Sequence, residues 1–108
     1  MTTDGRTHDS GRILIRVDPD LADLIPGFLE NRRNDLAAMR EALARNEYET
    51  VRILGHSMKG AGGGYGFDAI TDIGAALEQA ARDKDTEGIQ QSLYDLSSFL
   101  ERVEVAGD

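Results

Sequence analysis

The sequence predicts an all-α protein, an antiparallel four-helix bundle with a short additional N-terminal helix. Apolar residues recur at helical spacing in four segments that are joined by short polar connections. A length of 108 residues, with 40% hydrophobic and 30% charged residues, suits one domain with a modest core. The formal charge of −8 disfavours nucleic acid and anionic membrane surfaces as partners. No apolar run approaches the roughly 20 residues that cross a bilayer.

The N-terminal region is expected to lie outside the bundle. Residues 1–11 are polar and contain glycine, which predicts a flexible tail, so we place the folded domain at residues 12–106. His8 lies in this tail with no neighbouring ligand set. Arg12 to Val17 carries apolar residues at alternate positions, a strand pattern. Because no strand partner is evident, we expect an extended arm that lies on the bundle.

Two proline signals mark the first helices. Asp18-Pro19 combines an N-cap acid with proline at the first helical position and predicts a short helix. Pro26 either begins a new helix or bends the existing one. The next apolar stripe predicts a long helix that ends near Arg45. Its members are Phe28, Leu29, Leu36, Met39 and Leu43.

The second long helix is predicted from Tyr48 to Tyr65. Asn46 to Glu49 resembles a capping box that opens it, and Gly66 suits a left-handed C-cap that closes it. At about 100° per residue, the apolar stripe of this helix points away from His56. The histidine is therefore expected to face solvent. The stripe consists of Val51, Leu54, Met58, Ala61 and Tyr65.

Two further helices complete the predicted bundle. Asp68 is expected to cap one, and Asp85 or Thr86 the other. The charged connection that begins at Arg82 is short, so the two helices should be antiparallel. The chain from Ala106 is expected to fray. The predicted buried residues are Ile70, Ile73, Leu77 and Ala80 or Ala81 in the first of these helices, and Ile89, Leu93, Leu96, Leu100 and Val103 in the second.

The residues after His56 favour contact between its exposed imidazole and an anion. Lys59 and Gly60 lie three and four positions later, so the lysine brings a cation near the ring and the glycine leaves the ring uncovered. Four glycines close together here cost roughly 3–4 kcal/mol of helix propensity relative to alanine. Close helix packing explains Gly62. Access for a docking partner better explains Gly60 and Gly63. The anion that best suits contact with His56 and Lys59 is a phosphoryl group.

One short motif reads His56-Ser57-Met58-Lys59-Gly60 and is followed by Gly66-Phe67. This motif resembles the His-x-x-Lys-Gly signature of histidine-containing phosphotransfer (Hpt) domains, including those of chemotaxis kinases. The resemblance implies that His56 accepts a phosphoryl group and exchanges it with the aspartate of a response-regulator receiver domain. It further implies that Nε2 attacks phosphorus and that Lys59 contacts the phosphate. The partner would be a receiver domain, a hybrid sensor histidine kinase, or both. Mg²⁺ would be bound by the receiver, and this chain would hold no cofactor.

The same resemblance implies a role for Glu78. A glutamate occupies the corresponding place in the chemotaxis-kinase members, where it hydrogen-bonds the acceptor imidazole and orients it. In this sequence it lies 22 residues after His56. Helical periodicity gives no independent support for the contact, because the reach from the next helix is uncertain. An ordinary surface glutamate is the alternative.

Other sites find less support. Arg52 lies one turn before His56 and could meet an anion or an acidic partner. His56 has no second histidine at helical spacing, which argues against a metal site. The glycine run neither follows a strand nor precedes Lys-Ser/Thr, which argues against a phosphate-binding loop. Because the chain has no cysteine, disulfides and thiolate metal sites are excluded.

We therefore expect a monomeric, cytoplasmic phosphocarrier that neither binds ATP nor acts alone as a kinase. Two alternatives remain open at this point. One is a helical-bundle interaction module that is never phosphorylated. The other is an enzyme that uses His56 as a general base, although no second catalytic group stands at clear spacing.

Overall fold

The computed structural model describes residues 12–107, so the predicted tail and His8 lie outside the described residues. Four α-helices form the body of this range, which confirms the predicted all-α bundle. None of these helices is long and apolar enough to cross a membrane. The elements in chain order are β1 (Ile13–Val17), a 3₁₀ helix (Pro19–Leu24), α1 (Ile25–Ala44), α2 (Tyr48–Gly64), α3 (Asp68–Arg82), α4 (Thr86–Arg102) and β2 (Val103–Gly107).

Several helix ends form where local signals predict them. The Asp18 carboxylate accepts a hydrogen bond from the Asp20 backbone N–H at 2.9 Å, so the predicted short helix begins there, as a 3₁₀ helix. Asp85 caps α4 by accepting from the Gly88 N–H at 3.0 Å. Gly66 has a φ of 83°, which confirms the left-handed turn predicted after α2.

Two predicted caps are wrong. Asn46 does not cap α2: it has a φ of 60°, and Glu47 holds the N-cap position without a side-chain cap. Asparagine tolerates this left-handed conformation, which here ends α1 instead. Phe67, not Asp68, occupies the N-cap position of α3. Asp68 still places a negative charge in the first turn, where the helix dipole favours it.

The chain termini of the described range pair with each other, which the sequence did not predict. β1 runs parallel to β2, with Ile13 opposite Val103 and Val17 opposite Gly107. The expectation of an unpaired arm is therefore wrong, as is that of a final helix through Val103 with a frayed tail. Helix α4 ends at Arg102, and the backbone of Val103 is already extended.

The core lies between the four helices, and the apolar face of α2 contributes to it as predicted. Val51 and Met58 are fully buried, while the other predicted stripe residues are partly buried. Phe67 joins α1 and α4 through this core, stacking on Phe28 and meeting Phe99 edge-on. Burial of one face of α2 leaves its opposite face, with His56, directed outward.

Candidate functional site

Helices α2 and α3 contact each other through their backbones at a pair of glycines. A Cβ atom on Gly74 would lie 2.5 Å from the backbone nitrogen of Lys59 and 2.8 Å from the carbonyl oxygen of Gly55. A Cβ on Gly55 would lie 2.9 Å from the backbone nitrogen of Glu78. Only glycine permits so close an approach. The pair therefore brings the residues around it on α2 and α3 within side-chain reach of each other.

The glycine cluster of α2 divides into packed and open positions. A Cβ on Gly62 would lie 2.7 Å from the backbone nitrogen of Thr71, so the predicted close packing is confirmed. Among the described residues, and apart from the local helix backbone, no atom lies within 4 Å of a Cβ on Gly60, and the Thr71 hydroxyl alone approaches one on Gly63, at 3.8 Å. These two glycines thus lie on the open side of α2, as predicted, whereas their role in partner access stays a prediction.

His56 faces solvent and is held at one ring nitrogen. Its side chain is 65% exposed, which confirms the predicted orientation. Nδ1 lies 3.0 Å from Oε2 of Glu78 on α3. The contact follows from the glycine pair, since His56 adjoins Gly55 and Glu78 lies one turn after Gly74. The structure therefore brings these two predicted site residues together.

Glu78 is the centre of a charge cluster and is not a surface glutamate, since its side chain is only 7% exposed. Lys59 Nζ lies 3.0 Å from Oε1 of Glu78. The lysine that was predicted to lie near the imidazole therefore contacts the same carboxylate as the imidazole does. Arg82 donates to Oε2 at 3.0 Å from the next turn of α3. The sequence analysis missed Arg82, although its i, i+4 spacing from Glu78 is a typical ion-pair signal.

These contacts fix the charge of Glu78. The hydrogen bond from Lys59 lowers the pKa of the Glu78 carboxyl, burial opposes this effect, and the hydrogen bond from His56 lowers the pKa further. The carboxylate is therefore ionised at neutral pH and can only accept hydrogen bonds. A neutral His56 ring must then donate from Nδ1, which leaves the lone pair of Nε2 free on the exposed side.

Arg52 belongs to the same face but is paired within its own helix. Its Nε donates to Oε1 of Glu49 at 2.9 Å. This hydrogen bond raises the pKa of Arg52 and lowers that of Glu49, and the charge of Glu78 adds a smaller contribution at Arg52. Contact of Arg52 with an anion or an acidic partner stays a prediction. Within residues 12–107, no group of three or more histidine, cysteine or acidic side chains could hold a metal ion.

An exposed imidazole that a buried carboxylate orients on a helical bundle is an arrangement that a histidine phosphocarrier can use. Comparison with protein families matches residues 23–106 to the Hpt domain, and the chain belongs to that family. Searches of curated proteins and of solved structures return no match. An Hpt domain is a phosphocarrier and not a catalytic kinase, and membership implies histidine phosphotransfer in a phosphorelay. Hpt domains interact with receiver domains in such relays.

Proposed function

We propose that His56 is the phosphoacceptor and that it exchanges its phosphoryl group with the aspartate of a receiver domain. The receiver belongs to a response regulator or to a hybrid sensor histidine kinase, and this chain acts as a monomer. The observation that carries the proposal is the pairing of Nδ1 with Glu78 at 3.0 Å on a side chain that is 65% exposed. The pairing orients the ring, and the exposure makes Nε2 available to a partner.

The transfer proceeds as an in-line displacement. The Nε2 lone pair attacks phosphorus, an N–P bond forms, and the P–O bond to the partner's aspartate breaks. The aspartate carboxylate leaves with the electron pair of that bond. Because Nδ1 keeps its proton, the ring gains positive charge during attack, and the ionised Glu78 stabilises that charge. Mg²⁺ on the receiver would neutralise the phosphoryl oxygens, and return transfer would follow the same path backwards.

The remaining predicted residues act around the phosphoryl group. Lys59 provides a cation, and Gly60 leaves the approach to Nε2 open. Ile53 lies one turn before His56 and is 52% exposed, which supplies an apolar contact beside the histidine. We assign this face of α2 to docking of the receiver, whose aspartyl phosphate must reach Nε2.

The test is phosphorylation of the full chain by phosphoramidate, a small donor, followed by addition of a receiver domain and Mg²⁺. Intact mass should show one added phosphoryl group that mild acid removes, and the receiver should then take up that group. A folded chain that gains no phosphoryl group would overturn the proposal and favour the unphosphorylated interaction module. An acid-stable adduct would also contradict it, because phosphohistidine is labile in acid.

The role of Gly60 is tested by Gly60→Gln. Since no described atom outside the local helix backbone lies within 4 Å of a Cβ at this position, the variant should fold at least as stably as the wild type, with up to about 1 kcal/mol gained in helix propensity. Exchange with a receiver should slow about tenfold or more, equivalent to roughly 1.4 kcal/mol of activation free energy. Phosphorylation by phosphoramidate should change little, because the donor is small. Both rates are measured by intact mass.

Gly27→Gln is the matched control, because Gly27 lies in α1 and a Cβ there also meets no atom within 4 Å in the part of the chain that the structure describes. It should leave both rates unchanged. If Gly60→Gln slows both donors equally, the glycine serves the ring and not the docking of a partner. If it slows neither, Gly60 has no part in access.

A further inference from the structure

The two oxygens of Glu78 are shared by three donors. Lys59 binds Oε1, whereas the His56 ring and the Arg82 guanidinium both contact Oε2, each at 3.0 Å. A carboxylate that is only 7% exposed needs a charged partner, since an unpaired buried charge is strongly destabilising. Before phosphoryl transfer, two full cations from the described part of the chain contact this carboxylate, Lys59 and Arg82.

Arg82, the second cation on Glu78, matters because Lys59 contacts Glu78 and is also proposed to contact the phosphoryl group. In the resting structure its ammonium is bound to Glu78, while the proposed function requires it at the phosphoryl group. When the lysine leaves, Oε1 loses its cation. Arg82 can still hold the carboxylate, because it binds the other oxygen and extends from the same helix. Its guanidinium has several N–H donors in a fixed plane, so one arginine can keep an orientation that a lone lysine cannot.

We propose that Arg82 is a positioning residue that holds Glu78 against Nδ1 of His56 while Lys59 moves from Glu78 to the phosphoryl group. The proposal rests on the proposed function of His56. Without Arg82, Lys59 is the one full cation among residues 12–107 that contacts Glu78, and it stays bound to the carboxylate. The phosphoryl group then loses its lysine contact although the lysine is still present. Arg82 and Lys59 therefore act as one unit.

Arg52 provides the matched control. Its charge also reaches Glu78, but its guanidinium is hydrogen-bonded to Glu49 on the same helix. Neutralising Arg52 therefore removes a positive charge from the same face without removing a donor to the carboxylate. A merely electrostatic role for Arg82 would make the two arginines equivalent.

The experiment is a double-mutant cycle with Arg82→Gln, Lys59→Gln and the double variant, using the rate of phosphorylation by phosphoramidate. Each single substitution should lower the rate about tenfold. The double variant should be no more than about threefold slower than Lys59→Gln alone, because both glutamine amides can still donate to Glu78 and the effects of coupled residues are not additive. Arg52→Gln should lower the rate by a smaller factor than Arg82→Gln does, and Arg82→Lys should restore part of the loss. Single effects that multiply in the double variant, or an equal loss in Arg52→Gln, would overturn the proposal.

A second measurement separates positioning from structural damage. The ¹⁵N resonance of the Lys59 ammonium should shift when the wild type is phosphorylated and should keep its unphosphorylated position in phosphorylated Arg82→Gln. A shift of equal size in both proteins would contradict the exchange of partners. If the wild type is not phosphorylated on His56, the proposed function fails and this inference with it. If the wild type is phosphorylated but the substitutions multiply, only the inference fails.

Discussion

His56→Gln is expected to abolish phosphorylation by both phosphoramidate and a phosphorylated receiver, while the bundle stays folded. A glutamine amide has no nitrogen lone pair able to attack phosphorus, so the loss should be complete within detection. Stability should change by less than about 0.5 kcal/mol, because the native side chain is 65% exposed and lies outside the core. The amide N–H of the glutamine can also donate to Glu78 and keep that carboxylate partnered. Intact mass and chemical denaturation measure the two effects.

His8→Gln is the natural control, because the chain has two histidines. This variant should still accept one acid-labile phosphoryl group. Modification of His56→Gln and none of His8→Gln would move the acceptor to the N-terminal region and remove the basis of the proposed site. If His56→Gln unfolds, the ring has a packing role that its exposure does not predict. If His56→Gln retains partner binding and activity in cells, that result would favour the alternative of an unphosphorylated interaction module.

The outward placement of His56 could be predicted because it depends on one helix alone. Helical geometry fixes which residues share a face, and the buried residues Val51 and Met58 then determine where the histidine points. Helix number and most boundaries follow from the same local information. The Hpt match confirms the family and the fold that these patterns predict.

The contact between Glu78 and His56 could not be predicted in this way, because periodicity says nothing about the distance between two helices. That distance is set by Gly55 and Gly74, which bring the backbones of α2 and α3 together. A signal was present in the sequence, since each glycine lies mid-helix near one of the two site residues. Its meaning required knowing that the two glycines face each other.

The wrongly predicted elements share a related cause. β1 and β2 pair across almost the whole described range, and neither five-residue strand shows locally that the other exists. Asn46 carries two competing local signals, since asparagine suits both a helix N-cap and a left-handed helix end. In this structure Asn46 ends α1 in the left-handed conformation, with a φ of 60°. The local sequence limited Asn46 to two roles, the N-cap of α2 or the left-handed end of α1. The end of the preceding helix α1 determines which role it has.

Gly74→Ala is expected to reduce stability and activity together, although alanine is the better helix former. The added Cβ would lie 2.5 Å from the backbone nitrogen of Lys59 and 2.8 Å from the carbonyl oxygen of Gly55. Backbone atoms within a helix cannot rotate aside as a side chain can, so α2 and α3 must separate. Overpacking of this kind costs about 1–3 kcal/mol, against roughly 1 kcal/mol gained in propensity. Denaturant unfolding should therefore show a net loss of stability.

The same separation should weaken the hydrogen bond between Glu78 and Nδ1 of His56, so phosphorylation by phosphoramidate should slow several-fold in the folded variant. Gly27→Ala is the control, since the added Cβ meets no described atom within 4 Å. This variant should lower neither stability nor rate. A Gly74→Ala protein with wild-type stability and rate would show that the helices tolerate the methyl group without moving apart. Lower stability with an unchanged rate would mean that Glu78 follows His56 as the helices separate, and that the close contact serves the fold and not the imidazole.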